Sequence, residues 1–303
     1  GIADDMLTTT IMATTAPKYL CPAMNTEMYN NPITQRNLEG LRSLGYHIMD
    51  PAEGWLACGI TGVGRLPEPE AIVDWLEAKM CSTNELEGTT ILVTAGGTQE
   101  SIDPVRYIGN RSSGKMGYAI AEQAARMGAK VILVSAPTSL PIPNGVDFIS
   151  VDSAVSMQEA VEARFNDVNV VIMAAAVSDF RVLHKAEQKI KKMESMTIEL
   201  VKNPDILQGL GSKKSHQILV GFAAETEHVI KYGQDKVAKK NLDMLVANDV
   251  SKSNAGFNVD TNEGYFLYPD KEPKEMPNMK KSDLARHILI EVIDLVANKA
   301  DIN

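Results

Sequence analysis

The stretch VTAGGTQESIDPVRYIGNRSSGKMG, which runs from Val93 to Gly117, decides how the larger part of the chain folds. The apolar run Thr90–Thr94 predicts a buried strand, and this strand leads into Gly96 and Gly97. Both glycines can approach an anion closely because they have no Cβ. We therefore expect a strand whose end allows close contact with a ligand.

After a polar loop, Ser112 and Ser113 precede Gly114 and an apolar repeat with helical spacing. The repeat predicts a helix over Lys115–Met127, and the start of a helix offers N–H groups that bind phosphate. The stretch matches neither GxGxxG nor GxxxxGKS/T, so a tight turn followed by an ordinary capped helix explains it equally well. The pattern alone leaves both interpretations open.

Composition argues against several classes of protein. The chain has 303 residues, enough for two domains, with 44% hydrophobic and 23% charged residues, as in ordinary globular proteins. A net charge of −9 argues against a nucleic-acid partner, which would need a basic face. No run of about 18 apolar residues occurs, so we expect no membrane span.

The cysteines and histidines do not show the spacing of a metal or disulfide site. Cys21, Cys58 and Cys81 are odd in number and far apart, which favours a reducing, cytoplasmic environment. The five histidines also lack ligand spacing. A metal, if one binds, is expected to be Mg²⁺ held by carboxylate and phosphate oxygens.

Two blocks joined by a linker are predicted. Residues 1–80 form the first block, residues 81–88 (CSTNELEG) form a small, polar linker, and residues 89–303 alternate apolar strands with helices. This alternation predicts a Rossmann-like, doubly wound α/β domain with a mainly parallel sheet. Its strands are predicted at Thr90–Ala95, Val131–Ser135, Phe148–Val151, Val168–Ala174, Ile218–Ala223 and Met244–Ala247.

Small and polar residues follow the predicted strands, where doubly wound sheets bind their ligands. Ala174–Ala176 would let a ligand approach the backbone, and Asp179 could bind Mg²⁺ or a ribose. Close helix packing and a helix-capping aspartate are the structural alternative. At the next strand end, Phe222 could stack on a base.

Two groups of lysines stand out in this acidic chain. Lys189 and Lys191 flank Ile190 on a segment (KIKK) predicted to be extended, which would place both lysines on one side. Lys236 and Lys240 lie one turn apart on a predicted helix. Local cations suit phosphates or a developing anion, although a solvated surface is the usual reason for such a run.

Two motifs of the first block complete the candidates. PAMN ends at Asn25, and ACGITGVGR places Cys58 in a glycine-rich loop. A cysteine there can donate a proton only if its surroundings tune the thiol, and a buried small side chain is the more frequent role of a free cysteine. Spacing does not decide between the two.

Taken together, these segments resemble bacterial bifunctional proteins of coenzyme A biosynthesis, in which phosphopantothenoylcysteine decarboxylase is fused to phosphopantothenate–cysteine ligase. The motifs already quoted, with VKNPDIL, GFAAET and KKNLDMLVANDV, occur in the family's order over essentially the whole chain. The resemblance implies a complete ligase in residues 89–303. Such a ligase activates 4′-phosphopantothenate with CTP, forms an acyl-cytidylate and joins the acid to L-cysteine; ATP stays an alternative triphosphate.

The resemblance also implies roles for single residues. Asn110 would handle the acyl intermediate, Lys189 would stabilise it or its aminolysis, and Asp179 would bind the cytidine or Mg²⁺. Further contacts to the nucleotide are implied at Gly96, Gly97, Ser112, Ser113, Gly114, Ala175, Phe222, Lys236 and Lys240. A homodimer through the ligase domain is implied as well, with residues 262–268 (NEGYFLY) as a candidate interface strand.

The first block resembles the later half of a flavodoxin-like decarboxylase domain that uses FMN. In that family FMN oxidises the substrate thiol, carbon dioxide leaves, and the product enethiol is then reduced. The resemblance implies that Asn25 binds this substrate and that Cys58 donates the proton. Because the opening part of the domain is expected to be missing, we expect the chain neither to retain FMN nor to decarboxylate.

Two other functions compete with this interpretation. A nicotinamide-dependent dehydrogenase is disfavoured because GxGxxG is absent and because Ser135 and Ala136, rather than an acidic residue, end the second predicted strand. A non-catalytic, regulatory relative of the flavoprotein domain is disfavoured by the intact ligase motifs.

Overall fold

The chain divides into two units, residues 1–82 and residues 83–303, which are described separately. The structure is a computed structural model, and it describes residues 2–56, 59, 61–80, 83–192, 194–225, 227–249 and 261–300. None of the helices in these ranges is long and apolar enough to span a membrane.

The first unit combines short helices with two small sheets. Its elements are α1 (Met6–Ala13), β1 (Tyr19–Leu20), α2 (Thr26–Asn30), α3 (Pro32–Ser43), β2 (His47–Ile48), β3 (Ala52–Trp55), β4 (Thr61–Arg65) and α4 (Pro69–Met80). Strands β1 and β2 pair in parallel, whereas β3 and β4 form an antiparallel hairpin. The hairpin occupies the part of the chain that was predicted as a glycine-rich loop.

An eight-stranded sheet organises the second unit. The elements are β5 (Thr90–Ala95), β6 (Gln99–Ser101), β7 (Tyr107–Gly109), α5 (Lys115–Arg126), β8 (Lys130–Ser135), β9 (Val146–Ser150), α6 (Ala154–Glu162), β10 (Val170–Met173), β11 (Phe180–Val182), β12 (Leu200–Lys202), α7 (Ile206–Lys213), β13 (Ile218–Glu225), α8 (Val229–Lys239), β14 (Met244–Asp249), β15 (Thr261–Leu267), β16 (Lys274–Lys280) and α9 (Lys281–Ala300).

The strand order of this sheet is β16-β15-β14-β13-β10-β5-β8-β9. The six strands from β14 to β9 pair in parallel, and β15 and β16 extend the sheet in antiparallel fashion. The order reverses direction between β5 and β10, which is where doubly wound sheets open a crevice for a ligand. The predicted doubly wound, mainly parallel fold is confirmed.

Helices cover both faces of the sheet, which explains why its central strands are apolar throughout. One core packs α5 and α9 against the sheet, with Ile120 and Ile288 fully buried. The other packs α6, α7 and α8 against the opposite face, with Val161 and Leu210 fully buried. A strand covered on both faces has no solvent-exposed face, so its sequence is a continuous apolar run.

Several short elements do not follow the sequence prediction. Strands β6 and β7 form one antiparallel hairpin, and β11 and β12 form another with a long connection. Each of these strands has three residues, too few for a periodic pattern to be recognised. Helix α7 begins at the capping carboxylate of Asp205, but Gly209 and Gly211 weaken its helical signature. The KIKK segment, expected to be extended, lies in a stretch without helix or strand.

Gly117→Ala is expected to destabilise the second unit by about 1–3 kcal/mol, because a Cβ at this position of α5 overpacks the contact with β5. An added Cβ would lie 2.6 Å from Ala95 Cβ and 2.7 Å from the Thr94 carbonyl oxygen. The measurement is urea unfolding followed by circular dichroism.

The matched control is Gly209→Ala in α7, where an added Cβ meets nothing within 4 Å. Alanine is the better helix former, so this variant should be unchanged or up to about 1 kcal/mol more stable. Equal stability of the two variants would contradict the packing argument.

Candidate functional site

The loops after β5 and β10 stay hydrogen-bonded to each other beyond the sheet. The N–H of Ala176 donates to the Gly96 carbonyl (2.8 Å), and Gly97 and Ala176 form an isolated parallel bridge. Two threonine hydroxyls add to this, because Thr94 Oγ1 accepts from the N–H of Ala175 (3.1 Å) and Thr98 Oγ1 accepts from that of Ser178 (2.9 Å). The two sides of the crevice are therefore joined at its base.

Gly96 and Gly97 allow these loops to pack closely. Gly96 has φ +80°, and a Cβ there would lie 2.7 Å from the Ala136 carbonyl oxygen. A Cβ on Gly97 would lie 2.7 Å from the carbonyl oxygen of Asn110. Neither glycine is among the residues that line the cavity described next. Their freedom from Cβ serves chain packing here, and their contact with an anion stays a prediction.

A cavity of about 340 Å³ lies at the carboxyl ends of the central strands. It is lined by Asn110, Ser112, Ser113, Gly114, Lys115, Met116, Gly117, Ala174, Ala175, Ala176, Val177, Asp179, Phe222, Ala223, Ala224, Lys236, Asn248, Asn262 and Lys281. Eight of the candidates from the sequence are in this group: Asn110, Ser112, Ser113, Gly114, Ala175, Asp179, Phe222 and Lys236. The structure thus brings together residues from the loop after β7, the loop after β10, strand β13 and helix α8.

The cavity suits a polyanion. Among the described residues that line the cavity, three lysines and one aspartate carry charge. Helix α5 begins at this wall after Gly114, which has φ +77° and makes no side-chain capping hydrogen bond. The start of a twelve-residue helix carries partial positive charge, which adds to that of the lysines.

Asn110 is anchored at the crevice by its side-chain amide. Its Nδ2 donates to the carbonyl oxygens of Val177 (3.2 Å) and Ala176 (3.4 Å). The amide nitrogen is engaged with the β10 loop, so Oδ1 is the side-chain atom left to accept a hydrogen bond from a ligand. The loop bonds described above hold Asn110 and the β10 loop in fixed register.

Asp179 owes its position to Asn203, which the sequence interpretation quoted within VKNPDIL but did not single out. Asn203 is 5% exposed, and its Nδ2 donates to the Ser178 carbonyl at 2.8 Å. Its backbone N–H donates to the Asp179 carbonyl at 2.8 Å. Among the described residues no three His, Cys, Asp or Glu side chains come together as a metal site, so Mg²⁺ at Asp179 stays a prediction.

Lys189 is exposed and is not among the cavity-lining residues. The backbone N–H and the backbone carbonyl of its neighbour Ile190 are both hydrogen-bonded. The N–H donates to Asp103 Oδ2 (3.1 Å), and the carbonyl accepts from Arg106 Nη2 (3.1 Å). The loop between β6 and β7 therefore fixes where the cationic segment runs. The prediction of an extended segment did not include this long-range contact.

Asp103 is a buried carboxylate whose partners keep it ionised. Burial alone would raise its pKa, but hydrogen bonds from the backbone N–H groups of Val105, Ile190 and Arg106, with the Arg106 charge, lower the pKa below its ordinary value. The Arg106 guanidinium lies 3.4 Å from Oδ2. Three backbone donors from two distant segments thus meet at one side chain.

Of the two candidate lysines in this region, Lys236 lies in α8 and lines the cavity, whereas Lys240 does not line it. Lys240 follows the end of the helix and lies 2.9 Å from Asp205 Oδ2. Burial alone would raise the pKa of Asp205, but the hydrogen bonds from Lys240 and the Gln208 N–H, together with the charges of Lys240 and Lys202, lower the pKa below its ordinary value. The predicted contact of Lys240 with a ligand is not supported by this geometry and stays a prediction.

Several polar lining residues were not among the sequence candidates, and Asn248, Asn262 and Lys281 are three of them. Asn248 stands at a strand end that the sequence did indicate. Asn262 and Lys281 come from the antiparallel extension and the start of α9, which no local motif connects to the crevice. Only the strand order, with β15 next to β14, brings them there.

In the first unit, Asn25 caps helix α2. Its Oδ1 accepts from the N–H of Glu27 at 2.8 Å. The preceding residue, Met24, donates its N–H to the Gly64 carbonyl at 2.9 Å, and Gly64 has φ +137°. Cys58 lies outside the described residues. Its predicted role as a proton donor therefore stays a prediction.

Comparison with known proteins identifies both units. The family described as "DNA/pantothenate metabolism flavoprotein C-terminal domain" matches residues 86–296, and the family described as "Flavoprotein" matches residues 1–81. The second match does not bear out the expectation that the opening part of the decarboxylase domain is missing. The inference that FMN is not retained depended on that expectation and is withdrawn with it.

Relatives that match nearly the whole of this chain agree with these family matches. The coenzyme A biosynthesis bifunctional protein CoaBC of Bacillus subtilis is 49% identical over 97% of this chain and 74% of that protein. The protein of the same name from Escherichia coli is 45% identical over 97% of this chain and 73% of that protein.

Solved structures show the same fold for the second unit. The C-terminal domain of a CoaBC protein has a TM-score of 0.63 and 43% identity, covering 71% of this chain and 100% of that one. A Cab2 mutant in complex with phosphopantothenate-cysteine has a TM-score of 0.56 at 17% identity, covering 78% of this chain and 97% of that one. At that identity the likeness is one of fold.

Asp103→Asn is expected to destabilise the second unit in a pH-dependent way. A carboxylate with a lowered pKa contributes stability above its ordinary pKa of 3.8, and this is lost as the pH falls through the folded-state value. The difference in unfolding free energy between wild type and variant should therefore be full near pH 7 and should shrink as the pH falls below 3.8, as urea unfolding at each pH would show.

The exposed Asp147 provides the control, since Asp147→Asn removes a carboxylate on the surface of β9. If the difference in unfolding free energy between wild type and Asp103→Asn stays constant with pH, the assignment of a charged Asp103 carboxylate is contradicted.

Proposed function

This chain belongs to the family of coenzyme A biosynthesis bifunctional proteins, and from that premise we propose that it joins 4′-phosphopantothenate to L-cysteine with CTP. The observation that carries the proposal is the cationic cavity at the point where the strand order reverses. It combines the start of α5 with Lys115, Lys236 and Lys281, and it lies beside Asn110 and Asp179. Neither half of the reaction requires a residue from the first unit.

In the first half-reaction the carboxylate of phosphopantothenate attacks the α-phosphorus of CTP. A C–O–P anhydride bond forms, the bond to the β-phosphate oxygen breaks, and pyrophosphate leaves. The cavity lysines and the start of α5 stabilise the negative charge that builds up on the phosphates. One carboxylate next to bound phosphates is the donor set that Mg²⁺ usually takes, and Asp179 supplies it. When bound, Mg²⁺ would neutralise part of the phosphate charge.

In the second half-reaction the amine of cysteine attacks the activated carbonyl carbon. The new C–N bond replaces the bond to the phosphate oxygen, CMP leaves, and the amine loses a proton. Asn110, whose amide nitrogen is fixed on the β10 loop, positions the acyl group through its free oxygen. Lys189 is next to the anchored Ile190 in the chain. The ammonium group on its flexible side chain stabilises the anion that develops in this step.

The first unit carries the family's flavoprotein part. We propose that FMN belongs to this unit, where Thr26 Oγ1 is a buried hydroxyl without a hydrogen-bond partner among the described residues, which supports a polar ligand nearby. When bound, FMN supplies the oxidation of a substrate thiol. Asn25, at the same loop, would orient that substrate.

The decisive experiment measures release of pyrophosphate and of the nucleoside monophosphate by the full chain, with phosphopantothenate, cysteine, Mg²⁺ and either CTP, which would yield CMP, or ATP, which would yield AMP. Pyrophosphate should appear with CTP and phosphopantothenate alone, because the first half-reaction needs no amine. CMP should appear only when cysteine is added. Absence of both products with either triphosphate would refute the proposal.

Lys189→Gln is expected to slow the release of CMP by about 100-fold, the usual cost of removing one charge that stabilises a developing anion. Pyrophosphate release without cysteine should change much less, because Lys189 does not line the cavity that holds the phosphates. Rapid-quench measurement of both products separates the two steps.

Lys192→Gln removes an equally exposed cation from the same segment and serves as the control. Rates of Lys189→Gln that match those of Lys192→Gln would exclude the role given to Lys189.

A homodimer is proposed through the second unit. Exposed apolar side chains gather on the hairpins β6–β7 and β11–β12, with Tyr107 55%, Phe180 50% and Leu200 45% exposed. The strand predicted at residues 262–268 exists as β15, but it pairs on both edges and buries Phe266. We therefore place the interface at the two hairpins instead.

Phe180→Glu is expected to lower the mass of the full chain in solution, because a carboxylate cannot be buried in an apolar interface without a partner. Sedimentation velocity gives the mass directly. Ile142→Glu, at a loop residue of similar exposure, should leave the mass unchanged. An unaltered mass for Phe180→Glu would remove the hairpins from the interface.

A further inference from the structure

The hairpin β6–β7 carries contacts for which the proposed reaction gives no role. Its two strands pair along their full three-residue length, and Asn110 directly follows β7. The loop between the strands contains the buried Asp103. One short hairpin therefore connects Asn110, which lines the cavity, to a buried carboxylate at its opposite end.

The two carboxylate oxygens of Asp103 have different partners. Oδ1 accepts from the N–H groups of Val105 (2.8 Å) and Arg106 (2.9 Å), so it closes the turn of its own hairpin. Oδ2 accepts from the N–H of Ile190 (3.1 Å), which lies 87 residues further along the chain. One oxygen thus shapes the hairpin, and the other holds a distant segment.

Two further contacts hold the same segment against the hairpin loop. Arg106 Nη2 donates to the Ile190 carbonyl (3.1 Å), and the Ala186 N–H donates to the Ile102 carbonyl (2.9 Å). Residues 183–192 form neither helix nor strand, so regular backbone hydrogen bonds do not set their course. The position of this segment therefore depends on the hairpin loop.

We infer that Asp103 is a positioning residue for the second half-reaction, because it sets the place of Lys189 relative to Asn110. The inference rests on the proposed function, which assigns both residues to the step in which cysteine displaces CMP. Lys189 precedes the anchored Ile190, and Asn110 follows the hairpin that carries the anchor. A misplacement of about 1 Å between groups that must meet a substrate together can cost about 100-fold in rate.

Asp103 acts through other residues and not on the substrate. Its side chain is 0% exposed, both of its oxygens are hydrogen-bonded, and it is not among the residues that line the cavity. The cavity lysines and the helix start that face the phosphates belong to α5, α8 and α9. Loss of the anchor should therefore slow aminolysis and spare the attack on CTP.

The test is Asp103→Asn, which replaces one carboxylate oxygen with an amide nitrogen. The local turn offers two donors to the single remaining oxygen, so the nitrogen faces the Ile190 N–H, donor against donor. With CTP, CMP release should slow by about 10- to 100-fold, and pyrophosphate release without cysteine should change by less than about threefold. Rapid-quench rates of both products come from the same folded molecules, so their ratio does not change with stability.

Glu100→Gln is the matched control. Glu100 is another buried carboxylate of this hairpin, at 3% exposure, but its Oε1 accepts from the N–H of Ala154 at the start of α6 (2.9 Å). The variant alters a buried anchor of the hairpin without altering the contact to Ile190. The ratio of the two rates should therefore stay at the wild-type value.

Two further measurements separate positioning from general damage to the fold. In a Lys189→Gln background, Asp103→Asn should slow CMP release by no more than about twofold, because the residue it positions is already lost. Hydrogen exchange of the full chain without substrates should show faster exchange of the Ile190 amide in Asp103→Asn and an unchanged rate in Glu100→Gln.

The outcomes distinguish this inference from the proposed function. A wild-type chain that releases neither product would refute the proposed function and the inference with it. With an active wild type, the inference alone would be overturned by an unchanged rate ratio in Asp103→Asn, by full additivity with Lys189→Gln, or by unchanged exchange of the Ile190 amide.

Discussion

The candidate site depends on the continued pairing of the loops after β5 and β10. In most doubly wound sheets the strands separate at this point, and the loops leave in opposite directions. Here the hydroxyls of Thr94 and Thr98 and the bridge between Gly97 and Ala176 hold the two loops together. Asn110 and the start of α5 follow one loop, and Asp179 follows the other. Their relative positions are therefore set before any ligand binds.

Much of the fold could be predicted from the sequence, because strands buried on both faces produce continuous apolar runs. The run at Thr90–Ala95 gave the bounds of β5, and the repeat after Gly114 gave the start of α5. The same pattern failed for the hairpins β6–β7 and β11–β12. Three residues contain too little periodicity, and these hairpins are held by contacts with distant segments.

The site was predictable only in part, and for a related reason. Residues that follow predicted strands, such as Asp179 and Phe222, were recognised because the ends of parallel strands lie at one edge. Asn262 and Lys281 were not, because an antiparallel extension carries them there and only the strand order reveals it. The position of Lys189 likewise depends on Asp103, a residue 86 positions earlier that no local pattern connects to it.

The double anchor on Ile190 limits how Lys189 can take part in chemistry. With the neighbouring N–H and carbonyl both held, its backbone has little freedom to swing toward the crevice. What remains mobile is the four-carbon side chain, so the reach of its ammonium group is that of a short tether. Under the proposed function, the reacting carbon of the acyl intermediate would therefore have to come within reach of this tether, and the incoming amine would meet it there.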